Sequence, residues 1–356
     1  MTMSGSANIT EQLYRVAKDH PDKAAFLHPF RLSFKELIRE IDRFAEGFRE
    51  EGIGAGTRTI VLITPGLELF AVSIALFRIG AIPVMIDPGM GIRRMVKALK
   101  SVKAEAFIGI PRAHLIPYFF PGSFSGTRCW ISTGKCCLAK TASLRKMPYV
   151  NVSPEAFPLG KHEVAALFFT SGSTGAPKGV IYTSGMLEAQ FRILKASFGY
   201  SPDEIDLCTF PLVGLLLICM GISLVLADMD MAHPAKLHPQ RILKNIQDHA
   251  CTHMFCSPMV LKRLAACGEV REYNLGSLKW IMTAGAPVFP NVLKDFRELL
   301  SEDAEIHTPY GATEALPVTS IGDRELSALY TDSDLSENGL CVGYPVKGVE
   351  LKILAV

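Results

Sequence analysis

The sequence lacks an excess of charge of either sign. Its 37 basic and 35 acidic residues leave a net charge of +2, and no contiguous Lys/Arg-rich block indicates a local footprint for nucleic acid. A disulfide framework is also missing, because nine cysteines are an odd number scattered along the chain, a pattern typical of reduced thiols. These absences predict a cytoplasmic protein without a nucleic-acid partner.

Hydrophobic runs long enough to span a membrane are missing as well. The stretch "LVGLLLICMGISLVLA" at 212–227 has 16 residues without a charge, fewer than the roughly 18–20 residues of a spanning helix. Its two glycines and the following "DMD" are typical of a buried segment in a globular domain. The N-terminal residues show no basic stretch followed by an apolar one, so no secretion signal and no membrane span are predicted.

Short β-rich runs alternate with longer helical runs along the chain, which favours an α/β fold with a mostly parallel sheet. Strands are predicted within 58–64, 81–89, 105–110, 163–170, 250–258 and 278–287, and helices within 67–80, 240–250 and 291–300. Residues 121–150 are predicted to form a long connection or a loose sheet edge, and 343–356 a pair of strands. At 356 residues the chain is expected to hold about two domains.

Residues 168–180, "FFTSGSTGAPKGV", place hydroxyl side chains, glycines and one lysine directly after an apolar run. Glycines let backbone N–H groups turn toward an anion, hydroxyls donate to phosphate oxygens, and Lys178 adds a positive charge. Such a loop suits a polyphosphate. It does not match the Walker pattern, because Lys178 is followed by Gly179 instead of Ser or Thr. The alternative interpretation is a solvated surface loop.

Two further motifs follow in order: "TAGAP" at 283–287 and "YGATE" at 310–314. Together with "TSGSTGAPKG" they resemble the nucleotide-binding motifs of the adenylate-forming superfamily, which contains acyl-CoA synthetases, peptide-synthetase adenylation domains and luciferases. The resemblance extends through nearly the whole chain. It implies two stacked, mostly parallel sheets flanked by helices in αβαβα layers, with the beginning of a small β-barrel. The implied subdivision is 1–160, 161–340 with the nucleotide motifs, and 341–356.

The resemblance also implies a role for each matching residue. ATP would be bound by Thr170, Ser171, Gly172, Ser173, Thr174, Gly175 and Lys178 at its β- and γ-phosphates, and by Gly285, Ala286, Pro287, Tyr310 and Gly311 around its adenine. Thr313 would contact the α-phosphate, and Glu314 with Thr174 would ligate Mg²⁺, for which oxygen ligands are suited. The predicted catalytic residues are Thr313, Glu314 and Lys178. Taken alone, Glu314 could equally be a solvated acid in a turn.

Segments such as "VMIDPG", "TFPL" and "MFCSPMVL" are similar to the β-lactone synthetases of bacterial long-chain olefin biosynthesis. That similarity implies a fatty acid, specifically a 3-hydroxy acid, as substrate, AMP as product or bound ligand, and other enzymes of the same lipid pathway as partners. An acyl-CoA ligase using CoA and a peptide-synthetase-like adenylation domain remain alternatives. The apolar residues 212–216 after Phe210 and Pro211 suit an alkyl chain, and core packing would explain them equally well.

The sequence departs from the family pattern at its end. The family's ribose-binding Asp, hinge and C-terminal lid domain with its adenylation Lys would lie after residue 356, and "IGD" at 321–323 precedes "GYPVKG" where the order demands that it follow. The chain is therefore expected to be the large N-terminal domain alone, poorly active by itself. A nucleotide- and lipid-binding remnant without its own activity is the alternative of another class.

Other candidate residues receive no predicted role. Cys251, His253 and Cys256 are close in sequence, but a strand would direct alternate residues to opposite faces, so buried thiols are favoured over a metal site. His114 would border the acid site by resemblance, while its position after a strand favours an exposed histidine at a helix start. His307 precedes the third motif and is assigned nothing.

Overall fold

The computed structural model describes residues 9–86, 88–136, 140–170, 177–330 and 339–354, with no description of the side chains of Pro88 and Thr170. Within these residues the helices are, in chain order, α1 Thr10–Asp19, α2 Phe34–Glu50, α3 Leu67–Arg78, α4 Ile92–Val102, α5 Leu115–Phe119, α6 Ser184–Ser197, α7 Pro211–Cys219, α8 Pro239–His249, α9 Pro258–Ala265, α10 Pro290–Arg297 and α11 Asp323–Leu329.

The strands are β1 Ala24–His28, β2 Leu32–Ser33, β3 Arg58–Leu62, β4 Ile82–Ile86, β5 Ala106–Gly109, β6 Cys129–Ser132, β7 Ala142–Ser143, β8 Val164–Thr170, β9 Lys178–Thr183, β10 Ile205–Cys208, β11 Ser223–Leu226, β12 His253–Cys256, β13 Trp280–Thr283, β14 Glu305–His307, β15 Tyr310–Ala312, β16 Ala315–Ser320 and β17 Tyr344–Pro345. The chain divides into two compact units, Met1–Lys23 with Ser33–Glu188 and Ala24–Leu32 with Ala189–Val356. The sequence-based subdivision at 160 and 340 stays a prediction.

Unit 1 contains a seven-stranded sheet in the order β7-β6-β5-β3-β4-β8-β9, in which only the last pair is antiparallel. One of its faces packs on α4 through a core that includes Ile60, Phe107 and Leu99. The helix α2 begins at a capping box, because Ser33 Oγ accepts from Glu36 N and Glu36 Oε2 accepts from Ser33 N. The strands predicted at 58–64, 81–89, 105–110 and 163–170 are confirmed, because they contain β3, β4, β5 and β8.

Unit 2 contains a second seven-stranded sheet, β14-β13-β12-β10-β11-β1-β2, and a separate three-stranded antiparallel sheet, β15-β16-β17. Parallel pairs join β1, β11, β10, β12, β13 and β14. One face of the large sheet carries Leu207, Met254 and Ile281, which pack in a core with α8, α9 and α10. The fold is therefore α/β with two mostly parallel sheets flanked by helices, as predicted.

The uncharged stretch 212–227 lies within unit 2 and is largely buried. Gly221 adopts φ +87° between α7 and β11, so the stretch forms a short helix and a strand. Across the described ranges, no helix combines the length and the apolar character that crossing a bilayer requires.

Of the two alternatives predicted for residues 121–150, the sheet edge is confirmed, because β6 within them pairs in parallel with β5 and carries β7 at the edge of the sheet. The prediction for the last residues needs correction. Residues 343–354 do not form a pair of strands, because only Tyr344–Pro345 is a strand there. Leu351, Ile353 and Leu354 are exposed, and alternating apolar residues form no ladder without a neighbouring strand.

Candidate functional site

The motifs TAGAP and YGATE follow two neighbouring strands of unit 2. β13 and β14 are parallel partners, with Met282 opposite His307, so Thr283 and Thr308 leave the sheet at the same edge. Open α/β sheets bind ligands at the carboxyl ends of their strands. The fold therefore brings these two motifs to one edge of one sheet, where a nucleotide site is expected.

The TAGAP motif makes a glycine-dependent turn at this edge. Gly285 has φ +90°, a left-handed conformation that favours glycine, and a Cβ there would meet no atom within 4 Å. Gly285, Ala286 and Pro287 are exposed beyond the strand. They leave a backbone surface on which a flat ring can lie, which fits the predicted adenine contacts.

The YGATE motif forms a tight hairpin. Ala312 pairs with Ala315 across β15 and β16, so Thr313 and Glu314 are the two residues of the turn. Gly311 is required here, because a Cβ would lie 2.6 Å from the carbonyl oxygen of Ala315. Glu314 is exposed, and a carboxylate on a narrow hairpin turn is an accessible oxygen ligand that fits Mg²⁺.

Tyr310 begins the same hairpin with 55% of its surface exposed, so its ring is available to cover an adenine. On the opposite strand, the carbonyl oxygen of Leu316 accepts a hydrogen bond of 3.2 Å from Gln190 Nε2 on α6. The hairpin is thereby hydrogen-bonded to Gln190, a residue of its own unit.

The first motif in the sequence, TSGSTGAPKG, joins two antiparallel strands of unit 1. Thr170 pairs with Lys178, the last rung of the β8–β9 ladder, and Lys178 is exposed. Gly179 faces Phe169, whose ring would lie 2.8 Å from a Cβ. The strands that flank the motif are therefore antiparallel neighbours, whereas a Walker loop lies between a strand and a helix. The motif's predicted phosphate ligands Ser171, Gly172, Ser173, Thr174 and Gly175 lie outside the described residues, and the convergence of Lys178 with Gly285 and Glu314 stays a prediction.

An apolar surface adjoins the edge of the unit 2 sheet. Phe210 follows β10 and is 45% exposed, with its ring 5.9 Å from that of Phe255 on β12. On α7, Leu212, Val213 and Leu216 are half-buried, whereas Gly214, Leu215 and Leu217 are buried. Core packing therefore accounts for the buried side of the helix, and the alkyl-chain interpretation of residues 212–216 stays a prediction for its half-buried apolar side.

Sequence reasoning missed a column of rings on one face of the unit 2 sheet. His253 stacks on Tyr200 at 4.6 Å, Trp280 stacks on His307 at 5.3 Å, and Phe198 meets His307 edge-on. Burial lowers the pKa of His253 despite Glu204, whose Oε2 lies 3.5 Å from His253 Nδ1. The signal was the register of three parallel strands, which the sequence does not state.

Asp206 on β10 lies on the same face, beside His253 in the parallel register. It is 1% exposed and its Oδ1 has no hydrogen-bond partner within the described chain. Burial raises the pKa of this carboxyl to about 8, so it is held protonated at neutral pH. This face of the sheet therefore buries a neutral carboxyl beside a neutral imidazole, whereas the opposite face carries Leu207, Met254 and Ile281.

A cavity of about 300 Å³ opens beside His307 in unit 2, lined in part by Phe198, Glu325 and Lys347. The buried hydroxyl oxygens of Ser197 and Ser320 also line it, and neither has a hydrogen-bond partner among the residues described. His307 Nε2 lies 2.9 Å from Glu305 Oε2. The histidine that sequence analysis left unassigned is thus packed against the ring column and a carboxylate.

His114 corrects the expectation of an exposed histidine. It is 2% exposed, its Nε2 donates to the carbonyl oxygen of Ile131 at 3.1 Å, and its ring meets Phe107 edge-on at 5.0 Å. Burial lowers its pKa. Cys251, His253 and Cys256 are buried, and over the part of the chain that is described no group of three metal-binding side chains is found.

The fold and the edge of the unit 2 sheet define an AMP-binding enzyme. Residues 13–356 match that family, and the chain belongs to it. It is 35% identical over 367 residues to the olefin β-lactone synthetase of Xanthomonas campestris pv. campestris, a match that covers 99% of this chain and 65% of that protein. The olefin β-lactone synthetase of Stenotrophomonas maltophilia is 34% identical over 369 residues, with 99% and 66% covered.

The chain therefore spans about two thirds of the length of these curated relatives, 65% and 66%. Among solved structures, the anthranilate CoA ligase AuaEII in complex with anthranoyl-AMP has the same fold, with a TM-score of 0.80, 17% sequence identity, and coverage of 98% of this chain and 66% of that chain. The resemblance to the adenylate-forming superfamily is thus confirmed for family and fold.

Proposed function

We propose that this chain binds ATP, Mg²⁺ and a long-chain 3-hydroxy acid, and serves the formation of an acyl-adenylate that closes to a β-lactone. The observation that carries the proposal is the neighbouring position of β13 and β14, from which TAGAP and YGATE emerge at one sheet edge. The similarity to two olefin β-lactone synthetases supports the lactone product.

The first step joins a carboxylate oxygen of the acid to the α-phosphorus of ATP, and the bond from that phosphorus to the pyrophosphate oxygen breaks. Both reactants are anionic, so the residues have to neutralise charge and align them. Lys178 would contact the leaving phosphates and Thr313 the α-phosphate. Mg²⁺, held by Glu314, would supply charge neutralisation on the phosphate oxygens.

In the second step, the 3-hydroxyl oxygen of the acyl-adenylate attacks its own acyl carbon. The hydroxyl proton is released to solvent, a carbon–oxygen bond closes the four-membered ring, and the bond from the acyl carbon to the phosphate oxygen breaks, so that AMP leaves. The alkyl chain needs an apolar surface, which Phe210 and the half-buried side of α7 would supply. Exclusion of water by that surface protects the adenylate from hydrolysis.

The binding half of the proposal is tested by thermal unfolding with a non-hydrolysable acyl-adenylate carrying a 3-hydroxy long-chain acyl group. A ligand bound only by the folded protein stabilises it by about 2.7 kcal/mol at 100 times its Kd. Adenosine alone and an aminoacyl-adenylate analogue are the controls. A larger rise in melting temperature with the aminoacyl analogue would favour a peptide-synthetase-like domain.

The chemical half is tested by incubating this chain, together with the C-terminal lid domain of the family supplied in trans, with ATP, Mg²⁺ and a 2-alkyl-3-hydroxy fatty acid in the absence of CoA. We expect lactone, AMP and pyrophosphate by mass spectrometry. Turnover only after CoA is added would instead indicate an acyl-CoA ligase. Binding of the analogue without any turnover under these conditions would indicate a nucleotide- and lipid-binding module.

A further inference from the structure

The basic residues of this chain are concentrated in one segment of unit 1. Residues 88–150 contain eleven Lys and Arg and a single acid, Glu105, so the other 293 residues hold 26 basic and 34 acidic side chains. The near-neutral net charge hides this asymmetry. The absence of a contiguous basic block, noted from the sequence, is correct, but the charges collect over a longer segment.

The helix α4 presents a large share of these charges to solvent. Arg93, Arg94, Lys97 and Lys100 are exposed, whereas Met95, Val96, Ala98, Leu99 and Val102 on the other side of the helix are buried. In the described residues none of the four basic side chains takes part in an ion pair. Their charge is therefore available to an external partner.

An exposed apolar tip adjoins this basic face. On α5, Tyr118 is 76% exposed, Phe119 69% and Leu115 52%, and the two rings meet edge-on at 5.5 Å. Ile116 and Phe120 from the same segment pack on the core that Leu99 of α4 also enters. The tip and the basic helix thus cover one face of the same sheet, and the segment 121–123 after α5 contacts α4.

We propose that this surface, α4 with the tip Leu115–Phe119, docks the protein peripherally on an anionic lipid membrane. Lys and Arg near such a surface are attracted to its phosphates, and exposed aromatic and aliphatic side chains insert at headgroup depth. Leu115 and the 48% exposed Ile92 gain from lipid and nothing from a nucleic acid. A second copy of the same surface would be repelled by the like charges, which disfavours self-association.

The test is flotation of the protein with vesicles of phosphatidylcholine alone or with about one third phosphatidylglycerol, at low and high salt. We expect binding to the anionic vesicles that weakens with salt. Arg93→Glu/Arg94→Glu should lower the partition constant at least tenfold, because each basic residue near the surface contributes roughly fivefold. Tyr118→Ser/Phe119→Ser should also lower the partition constant. In this variant the part of the binding that resists high salt should decrease, because the inserted apolar side chains are lost.

Matched controls are Lys262→Glu/Lys294→Glu, which reverses two exposed lysines on α9 and α10 of unit 2, and Val152→Ser, which removes an apolar side chain that is 80% exposed. Both should bind vesicles as the unchanged protein does. No binding to anionic vesicles, equal loss in the controls, or binding of single-stranded RNA through Arg93 and Arg94 in place of vesicles would overturn the proposal. The flotation assay contains neither ATP nor an acyl substrate, so its result is independent of the proposed function.

Discussion

The indole of Trp280 and the imidazole of His307 lie stacked across β13 and β14, with ring centroids 5.3 Å apart and planes inclined by 11°. These two strands are the ones from which the motifs TAGAP and YGATE emerge. Gly199 lies against the indole, because a Cβ on Gly199 would lie 2.6 Å from Trp280 Cε2. A side chain added at Gly199 would therefore have to displace the ring stack just before the candidate site begins.

Gly199→Ala should destabilise unit 2 by about 2–4 kcal/mol, because an added methyl group would enter a stacked ring system and a left-handed backbone disfavours alanine. The glycine has φ +62°. Since the chain contains two tryptophans, a Trp130→Phe background makes Trp280 fluorescence report urea unfolding of unit 2 alone. Gly268→Ala is the control, since a Cβ there meets nothing within 4 Å. Equal midpoints for the two variants would contradict the close packing.

The buried carboxyl of Asp206 should make the stability of unit 2 fall as the pH rises toward 8. Its pKa is raised to about 8 by burial, against about 3.9 in an unfolded chain, so unfolding releases a proton between these values and stability is lost with rising pH. The slope is at most about 1.4 kcal/mol per pH unit. The lowered pKa of His253 acts with the opposite sign, and only below its unfolded value of about 6.5.

The informative window is therefore pH 6.5–8, where Asp206 acts without His253. Asp206→Asn keeps a neutral side chain of the same shape and should abolish the fall in the urea midpoint across this window. Asp203→Asn, at an exposed position two residues before β10, should leave the fall unchanged. A parallel pH dependence in Asp206→Asn and the unchanged protein would show that the carboxyl is already ionised.

The ion pair between Arg297 and Asp323 should be a major stabilising contact of the same region. Arg297 Nε lies 2.7 Å from Asp323 Oδ2 and Nη2 lies 3.0 Å from Oδ1, while Ile306 N on β14 donates to the same carboxylate. Arg297→Met should cost about 2–4 kcal/mol, because it leaves a buried carboxylate unpaired.

The matched control is Arg271→Met, since Arg271 lies 3.9 Å from Glu298 and both side chains are more than half exposed. An exposed pair of this kind contributes about 0–1 kcal/mol. Urea unfolding of both variants, monitored by Trp280 fluorescence, measures how much each ion pair contributes to stability. If Arg297→Met lowers the free energy of unfolding no more than Arg271→Met does, solvent already screens the buried pair.

Much of the fold was predictable because its strands are short apolar runs bounded by glycine and proline. The run 163–170 is the strand Val164–Thr170, and 240–250 contains the helix Pro239–His249 within one residue. These features are local, so the sequence states them. The burial of His114 is not local, because Phe107 and Ile131 on two other strands enclose it.

The residues of the candidate site were predictable where they belong to short contiguous sequence motifs. Gly285 and Gly311 were predicted to contact the nucleotide, which stays a prediction, and the backbone geometry gives a physical reason for glycine at each position. The ring column and the buried Asp206 were missed because strand order, β14-β13-β12-β10, decides which side chains become neighbours. Such order depends on long-range pairing that no single segment carries.

Glu314→Gln should abolish the Mg²⁺ dependence of ATP binding without changing stability. The carboxylate is exposed in the turn between Ala312 and Ala315, so the substitution removes a charge and buries nothing, and the unfolding midpoint should move by less than about 0.5 kcal/mol. Isothermal titration of ATP with and without Mg²⁺ measures the effect, with Glu272→Gln, another exposed acid of unit 2, as the control. We expect at least a tenfold loss of affinity in Mg²⁺ for Glu314→Gln alone, since a neutral amide is a far weaker ligand for this cation. Retention of the full Mg²⁺ effect would place the metal on other ligands and remove Glu314 from the proposed site.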